Sequence, residues 1–357
     1  MDRREFLRYS FASGALFVVG TLPSWAQVLG SASLRVIDAH AHPDRYIADS
    51  RQSKDPTSTL KSIKKLGMAA SAFAAVGDLV FLSQGRLPGT EFHNTKTQLE
   101  WWMKRIVKKG EVKLVLKASD VPSASGPDSP PGAILAIEGG DPLGGKPERV
   151  NEFYHMGVRM ITVIHYRNNE LGDIMRMFRN LDPGRMNNGL TSAGRKVVER
   201  MQELGMVVDV AHAHSNTLKG IAEISSRPLV DSHTSLCPFE DPSRCGRLRT
   251  WKDMELIAKA GGVVCTWPLA YKMGDYVRMT FLDWAKEILE MKNRLGMEHV
   301  GLGTDGGGSL PQLIDGYRDV RDLSKLAAAM REIGVSDDDI AAYMGGNFHR
   351  VLEQCIG

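Results

Sequence analysis

Two His-x-His pairs stand at the ends of apolar, β-branched runs. "RVIDAHAHPD" at 35–44 closes on His40 and His42, and "VVDVAHAHSN" at 207–216 on His212 and His214. Single polar residues end four further runs of the same kind: Glu138 in "AILAIE", His165 in "ITVIH", His233 in "LVDSH" and Asp305 in "VGLGTD". Imidazole and carboxylate are borderline ligands that suit Zn²⁺, and a glutamate between two ions can bridge them. Residues i and i+2 of an extended segment leave from the same side, so His40 and His42 can face one ion. A lone histidine at a strand end is more often a satisfied structural residue than a ligand. Six elements sharing one placement are not explained that way. His212 ends its apolar run whereas His214 opens the next helix at Ser215, so His214 is expected to stand behind the ligands or to line the mouth. His93, His155, His299 and His349 lack the placement and are assigned nothing.

The elements that must bring these residues together alternate along the chain. Strand-like runs at 34–40, 133–140, 158–166, 206–214, 228–233, 261–267 and 299–305, with a weaker one in "MAASAFAAV", are separated by helical patterns. The helices are expected at 59–67, 94–109, 191–204, 216–225, 252–260 and 281–295, with closing helices at about 320–332 and 336–355. Near-continuous apolar strands between amphipathic helices mean a parallel sheet covered by helices. With eight or nine units the economical solution is a (β/α)₈ TIM-type barrel with extra C-terminal helices, and a doubly wound open sheet is the alternative. In the barrel all strand C-termini meet at one mouth. "VKLVLK" (112–117) would make a ninth strand, but the Ser-, Pro- and Gly-rich stretch after it holds no crossover helix. It is therefore placed outside the barrel or as an edge elaboration.

The 357 residues are 43% hydrophobic and carry a formal charge of +3, with Lys and Arg scattered; this argues against a nucleic-acid partner. Residues 1–26 read as a twin-arginine signal: Arg3-Arg4 and Phe6-Leu7 precede the apolar "FASGALFVVGTLP", and Ser24-Trp25-Ala26 offers a cleavage site. The expectation is a periplasmic protein, carried by the twin-arginine export machinery, whose residues 27–357 form one catalytic domain. The four cysteines show neither CxxC spacing nor the density of a disulfide scaffold. Cys237 and Cys245 flank the loop after His233 and are expected to be free or buried thiols, a bridge being the lesser option. "EWWMKRIVKK" is expected to be an outer helix whose tryptophans pack on the barrel.

The order of these residues resembles the membrane (renal) dipeptidase family of zinc peptidases, within the amidohydrolase-like barrels. "GLTSAGRKVVERMQELGMVVDVAHAHSNTLKGIAEISSRPLVDSHTS" (189–235) is the most specific stretch, with "AILAIEGGDPL", "ITVIHYRNNELGD" and "HVGLGTDGGG" beside it. The resemblance covers nearly the whole mature chain. It implies hydrolysis of dipeptides by a water activated between two zinc ions. His40 and Glu138 would bind the first ion, with Glu138 bridging, and His212 and His233 would complete the second. Asp305 would shuttle the proton and His165 would steady the oxyanion. An arginine would hold the substrate carboxylate; Arg244 and Arg247 are both candidates, Arg244 slightly preferred. Pairing into a homodimer is common among such relatives, although no interface pattern is legible here.

Two departures stand out. His42 occupies the position where the family has aspartate, which removes a negative charge from the metal site and alters the expected hold on a cation. Gly306, Gly307 and Gly308 replace an expected aromatic and acidic pair, and predict a barer, more mobile loop. Rival readings are another binuclear hydrolase on the same barrel (a lactonase, a deacylase or a DNase-like enzyme) and a periplasmic relative that has lost turnover.

Overall fold

The computed structural model describes residues 35–43, 58–78, 89–123, 129–175, 184–308 and 310–357; the signal assigned to 1–26 lies outside them. Chain order runs β1 (Ile37–Ala41), α1 (Ser58–Leu66), β2 (Ala70–Val76), α2 (Glu91–Trp102), β3 (Lys113–Leu114), β4 (Gly132–Glu138), α3 (Pro147–His155) and β5 (Val158–Thr162). It continues through α4 (Ser192–Glu203), β6 (Val207–Asp209), α5 (Ser215–Ile224), β7 (Leu229–Thr234), α6 (Trp251–Lys259) and β8 (Val263–Thr266). After the hairpin β9 (Tyr271–Met273) and β10 (Tyr276–Arg278) come α7 (Phe281–Leu295), β11 (Val300–Leu302), α8 (Leu323–Glu332), α9 (Asp337–Ala341) and α10 (Asn347–Ile356).

Eight parallel strands follow one another in the order β1-β2-β4-β5-β6-β7-β8-β11. The sheet closes where the chain beyond β11 meets β1: Asp305 N donates to His40 O at 2.9 Å and His42 N to Gly306 O at 2.7 Å. This is the (β/α)₈ barrel, not the open sheet. β3 pairs in parallel with β4 but stands off the barrel path, as the missing crossover helix after it requires. The hairpin of β9 and β10 is an addition that the sequence did not signal.

Alternation along the strands sorts two cores. Ala70, Ala72 and Ala74 of β2 and Ile134 and Ala136 of β4 share one buried cluster with Phe348, Val351 and Leu352 of α10. Phe73, Ala75, Leu135 and Ile137 belong to the other, among the surrounding helices. The interior alanines leave room at one end of the barrel for α10 to fill. Glu138 continues the inward parity of 134 and 136 at the other end.

Helix starts carry the expected caps. Thr191 accepts from Gly194 N (2.9 Å), and Thr280 and Asp283 form a reciprocal box at the start of α7. One expectation needs correction at α2. Trp102 is buried, but Trp101 is 43% exposed with Arg105 over its ring at 6.0 Å, so only one of the tryptophans packs on the barrel.

Phe348 is the largest of the α10 side chains in the interior cluster. Phe348→Ala should cost about 3–5 kcal/mol of stability. Chemical denaturation checks this; a midpoint unchanged from that of the parent protein would remove α10 from the core.

Candidate active site

Strand ends place the candidate residues at one mouth, and Glu138 is their centre. Its Oε1 lies 3.5 Å from His40 Nε2, 3.3 Å from His165 Nε2, 3.1 Å from His212 Nε2 and 3.4 Å from His233 Nε2. Its Oε2 lies 3.6 Å from His42 Nε2, which is also 3.4 Å from Asp305 Oδ1. The carboxylate and all five rings are buried, whereas the Asp305 side chain keeps 12% exposure. Seven of the nine predicted site residues therefore converge.

The two arginines separate. Arg244 is exposed and stacks over Phe239 at 3.8 Å, outside the cluster, which corrects the slight preference for it. Arg247 is buried: one of its nitrogens donates to His233 O at 3.1 Å, and its guanidinium sits 5.1 Å from the Trp267 ring. Its Nε finds no hydrogen-bond partner among the described residues. His214, half-buried and outside the Glu138 cluster, caps α5 by accepting from Asn216 N at 3.1 Å. Cys237 and Cys245 are joined in a disulfide, contrary to the expected thiols.

Local backbone explains the aim of several side chains. His212 and Asp305 have φ of 66° and 50°, the left-handed region that non-glycine residues seldom occupy and that often marks functional sites. The three glycines after Asp305 are not a bare loop. A Cβ at Gly307, itself at φ 83°, would stand 2.7 Å from His42 O, and one at Gly308 would stand 2.1 Å from Asp305 Oδ1. They are the residues that let this loop approach His42 and Asp305, and Gly306 O and the Gly308 N–H tie it down.

A layer of groups that the sequence reading passed over fixes the rings. Ser232 Oγ lies 2.8 Å from His233 Nδ1 and 3.3 Å from His40 Nδ1, and Ala74 O accepts from His42 Nδ1 at 2.9 Å. In each case the Nε2 side is left to face Glu138. Asp78 Oδ2 lies 3.1 Å from His165 Nδ1 and accepts from Tyr166 N. Below them, Asp38 accepts from His40 N and Thr304 N, and Asp209 from Ala211 N and Ser232 N. Asp231 receives Arg249 Nε at 2.6 Å. The spacings Asp38-x-His40 and Asp231-x-His233 were visible in the sequence and could have flagged two of these carboxylates.

The electrostatics favour ligation. Burial pushes His212 and His233 well below the ordinary imidazole range, helped by the charge of Arg247, so both present lone pairs. Burial alone would raise Glu138, but the facing rings of His165, His40 and His212 reverse this and hold it well below the usual carboxylate range. Burial pulls His42 down as well, and the Asp305 hydrogen bond with the charge of Glu138 lifts it to about 9. Burial lifts Asp38 to about 6 against the pull of its Thr304 hydrogen bonds.

The donor set fits metal. Three groups, His40/Glu138/His233, His40/His42/Asp305 and Glu138/His165/His212, each bring their ligand atoms within 4.8 Å of one another. His212 Nε2 and His233 Nε2 face each other at 3.1 Å, close to the roughly 3.3 Å between two nitrogens on one tetrahedral zinc. Buried His40 Nε2 makes no hydrogen bond.

The site sits at the C-terminal mouth of a (β/α)₈ barrel, where enzymes of this fold carry their active sites. Residues 31–356 match the family model of membrane dipeptidase (peptidase family M19), and the chain belongs to that family. It is 29% identical over 221 residues to dipeptidase verJ of Clonostachys rogersoniana, covering 62% of this chain and 54% of that protein. It is likewise 29% identical over 228 residues to dipeptidase 3 of Mus musculus, covering 62% of this chain and 44% of that one. The chain thus spans about half the length of the curated relatives it matches. A metallo peptidase from Rhodobacter sphaeroides, solved with a phosphinate mimic of the dipeptide L-Ala-D-Ala, shares the fold. It shows 21% identity and a TM-score of 0.72 over 90% of this chain and 99% of its own.

Arg249 and Asp231 form a fully buried pair under the rim, and Arg249 also donates to Ala213 O at 2.5 Å. Arg249→Ala should destabilise by about 3–5 kcal/mol because Asp231 is left uncompensated. Removing both partners, with Asp231→Asn added, should recover part of the loss in the same unfolding measurement.

Proposed function

We propose that this protein is a metal-dependent dipeptidase that hydrolyses the amide bond of short substrates ending in a free carboxylate. The observation that carries the reading is the gathering of five imidazoles on Glu138 beside Arg247, a buried guanidinium without a carboxylate partner among its contacts. His40, His42 and Glu138 would hold one divalent cation and Glu138, His212 and His233 a second, with zinc as the ion that imidazole and carboxylate suit. Such ions supply Lewis acidity at the scissile carbonyl and a nucleophile from water at neutral pH.

The protein's own groups do the rest. Asp305, the partly exposed carboxylate of the set, takes the proton of the attacking water and returns it to the leaving amine. His165, its Nδ1 turned to Asp78, offers its Nε2 edge to the developing oxyanion. Arg247 receives the terminal carboxylate, where a planar guanidinium can make paired hydrogen bonds. The His-x-His start also suits lactone or acyl-amide hydrolysis, but the cation held at the rim favours a substrate with an anionic end. Export to the periplasm belongs to the same reading; the Cys237–Cys245 bond supports it, since such bonds persist in oxidising compartments.

Purified protein should carry up to two zinc ions per chain by elemental mass spectrometry, lose hydrolysis of a dipeptide panel on chelation and regain it with added zinc. His212→Ala should lower both the metal content and the rate; full retention of both would overturn the assignment. Arg247→Ala should raise KM for dipeptides about tenfold or more, with a much smaller effect on dipeptide amides. If residues 1–26 direct twin-arginine export, replacing Arg3-Arg4 by Lys-Lys should leave the protein in the cytoplasmic fraction.

A further inference from the structure

We propose that the Cys237–Cys245 disulfide is a positioning element for Arg247, and that it thereby sets affinity for carboxylate-bearing substrates. The inference rests on the dipeptidase reading above, and concerns how this chain keeps a cation at the rim of that site.

Arg247 is 1% exposed, and among the described residues its guanidinium donates to His233 O and Met175 Sδ, neither of them an anion. Burial lowers its pKa, and the carboxylates of Asp231 and Glu138 act on it only at a distance, so a guanidinium with no direct ion pair gains by moving to water and its loop must resist that movement. The loop leaves β7 at Ser235 and returns to α6 at Thr250. Its returning limb is anchored by Arg249, on Asp231 and on Val210 O and Ala213 O. Cys237 N donates to Arg249 O at 2.7 Å and Arg249 N to Ser235 O at 2.9 Å, which joins the limbs at the base.

Between those points the chain is held largely by bonds within the loop itself, Asp241 accepting from Ser243 N and Cys245 N donating to Pro242 O. Residues 238–244 are exposed or half-exposed, and Gly246 at φ 58° turns the backbone inward immediately before Arg247. The disulfide crosses this excursion at its neck. Both cysteines are buried, 1% and 0% exposed, against Leu248, Trp267 and Leu269. Leu248 N donates to Cys245 O at 3.0 Å, so the covalent tie reaches both neighbours of Arg247 along the chain. Arg249 fixes the chain on the C-terminal side of Arg247, and the disulfide fixes it on the N-terminal side. The ring of His233 is fixed separately, by Ser232 on β7, so loosening the loop leaves the metal ligands in place.

The test uses the full-length, metal-loaded protein and two readouts. The first is labelling by phenylglyoxal, mapped by mass spectrometry. In the native protein exposed Arg244 should react, and buried Arg247 and Arg249 should not. In Cys237→Ala/Cys245→Ala, Arg247 should become reactive while Arg249 stays protected. The second is kinetic. The same variant should raise KM for a dipeptide about tenfold, with kcat and zinc content near the parent values and little change for the dipeptide amide. In an Arg247→Ala background, removing the disulfide should add nothing.

Should the double variant not fold, native protein reduced with dithiothreitol takes its place. There the two sulfurs gain two electrons and two protons as the reagent closes to its cyclic disulfide. Continued protection of Arg247 without the bond, or an undiminished KM shift in the Arg247→Ala background, would overturn the proposal. A parent protein that hydrolyses no dipeptide would instead overturn the dipeptidase reading, and the labelling would still decide the clamp.

Discussion

One buried carboxylate facing five imidazoles organises this molecule. Five rings from four segments turn an Nε2 edge toward Glu138, and those of His165, His40 and His212 hold it ionised; burial by itself would drive it to the neutral acid. The dependence runs both ways. His212 and His233 are kept neutral by their own burial and by nearby positive charge, Arg247 included, so both turn lone pairs toward the Glu138 side of the cluster. A set of donors so arranged is incomplete as a hydrogen-bond network: among the described residues buried His40 Nε2, 3.5 Å from Glu138 Oε1, makes no hydrogen bond. Divalent ions resolve that conflict in one stroke, which is why the arrangement favours ligation over a merely structural role for the histidines.

The cluster in turn depends on a lower tier that carries no chemistry. Asp38, Asp209 and Asp231 sit fully buried beneath the rings, and each binds the backbone, a neighbouring hydroxyl or Arg249. These carboxylates tie the ends of β1, β6 and β7 to neighbouring segments where the strand pairing shifts register. Asp38 spans the closure itself by accepting from Thr304 N, beyond β11. Barrel closure and site assembly are therefore one event: the hydrogen bonds from Asp305 N to His40 O and from His42 N to Gly306 O join the first and last strands through site residues.

How much of this was legible follows from which signals are local. Strand-end polar residues are local, since a long apolar run that stops at His or Glu declares both the strand and its business end. The barrel and seven of the site residues could be read that way. Arg247 could not. Three arginines stand in "SRCGRLRTW", and only tertiary contacts, the turn at Gly246 and the pairing of Leu236 with Arg249, leave Arg244 outside while Arg247 reaches His233 O and Arg249 reaches Asp231. Asp78 was hidden for another reason: it follows an alanine-rich strand whose weak signal drew no attention to its end. The disulfide was misjudged because spacing alone says nothing of whether two cysteines occupy the neck of one loop. The β9–β10 hairpin was missed because each strand is three residues long, too short for alternation to register.

The glycines beyond Asp305 show how a local rule can mislead when the tertiary neighbours are unknown. Read along the chain, three in succession mean freedom. Folded, they mean proximity: a side chain at 307 or 308 would collide with His42 O or the Asp305 carboxylate. Gly139 obeys the same constraint across the mouth, since a Cβ there would stand 3.0 Å from that of His165. Small residues thus ring the mouth wherever a site side chain must approach another segment's backbone. Together with His212 and Asp305 in the left-handed region, they place the conformational cost of the site in its turns. The strands themselves shift register between Asp38 and Ala41 and between Asp231 and Thr234, so a barrel with an alanine-lined interior also bends two of its strands where they deliver His40 and His233.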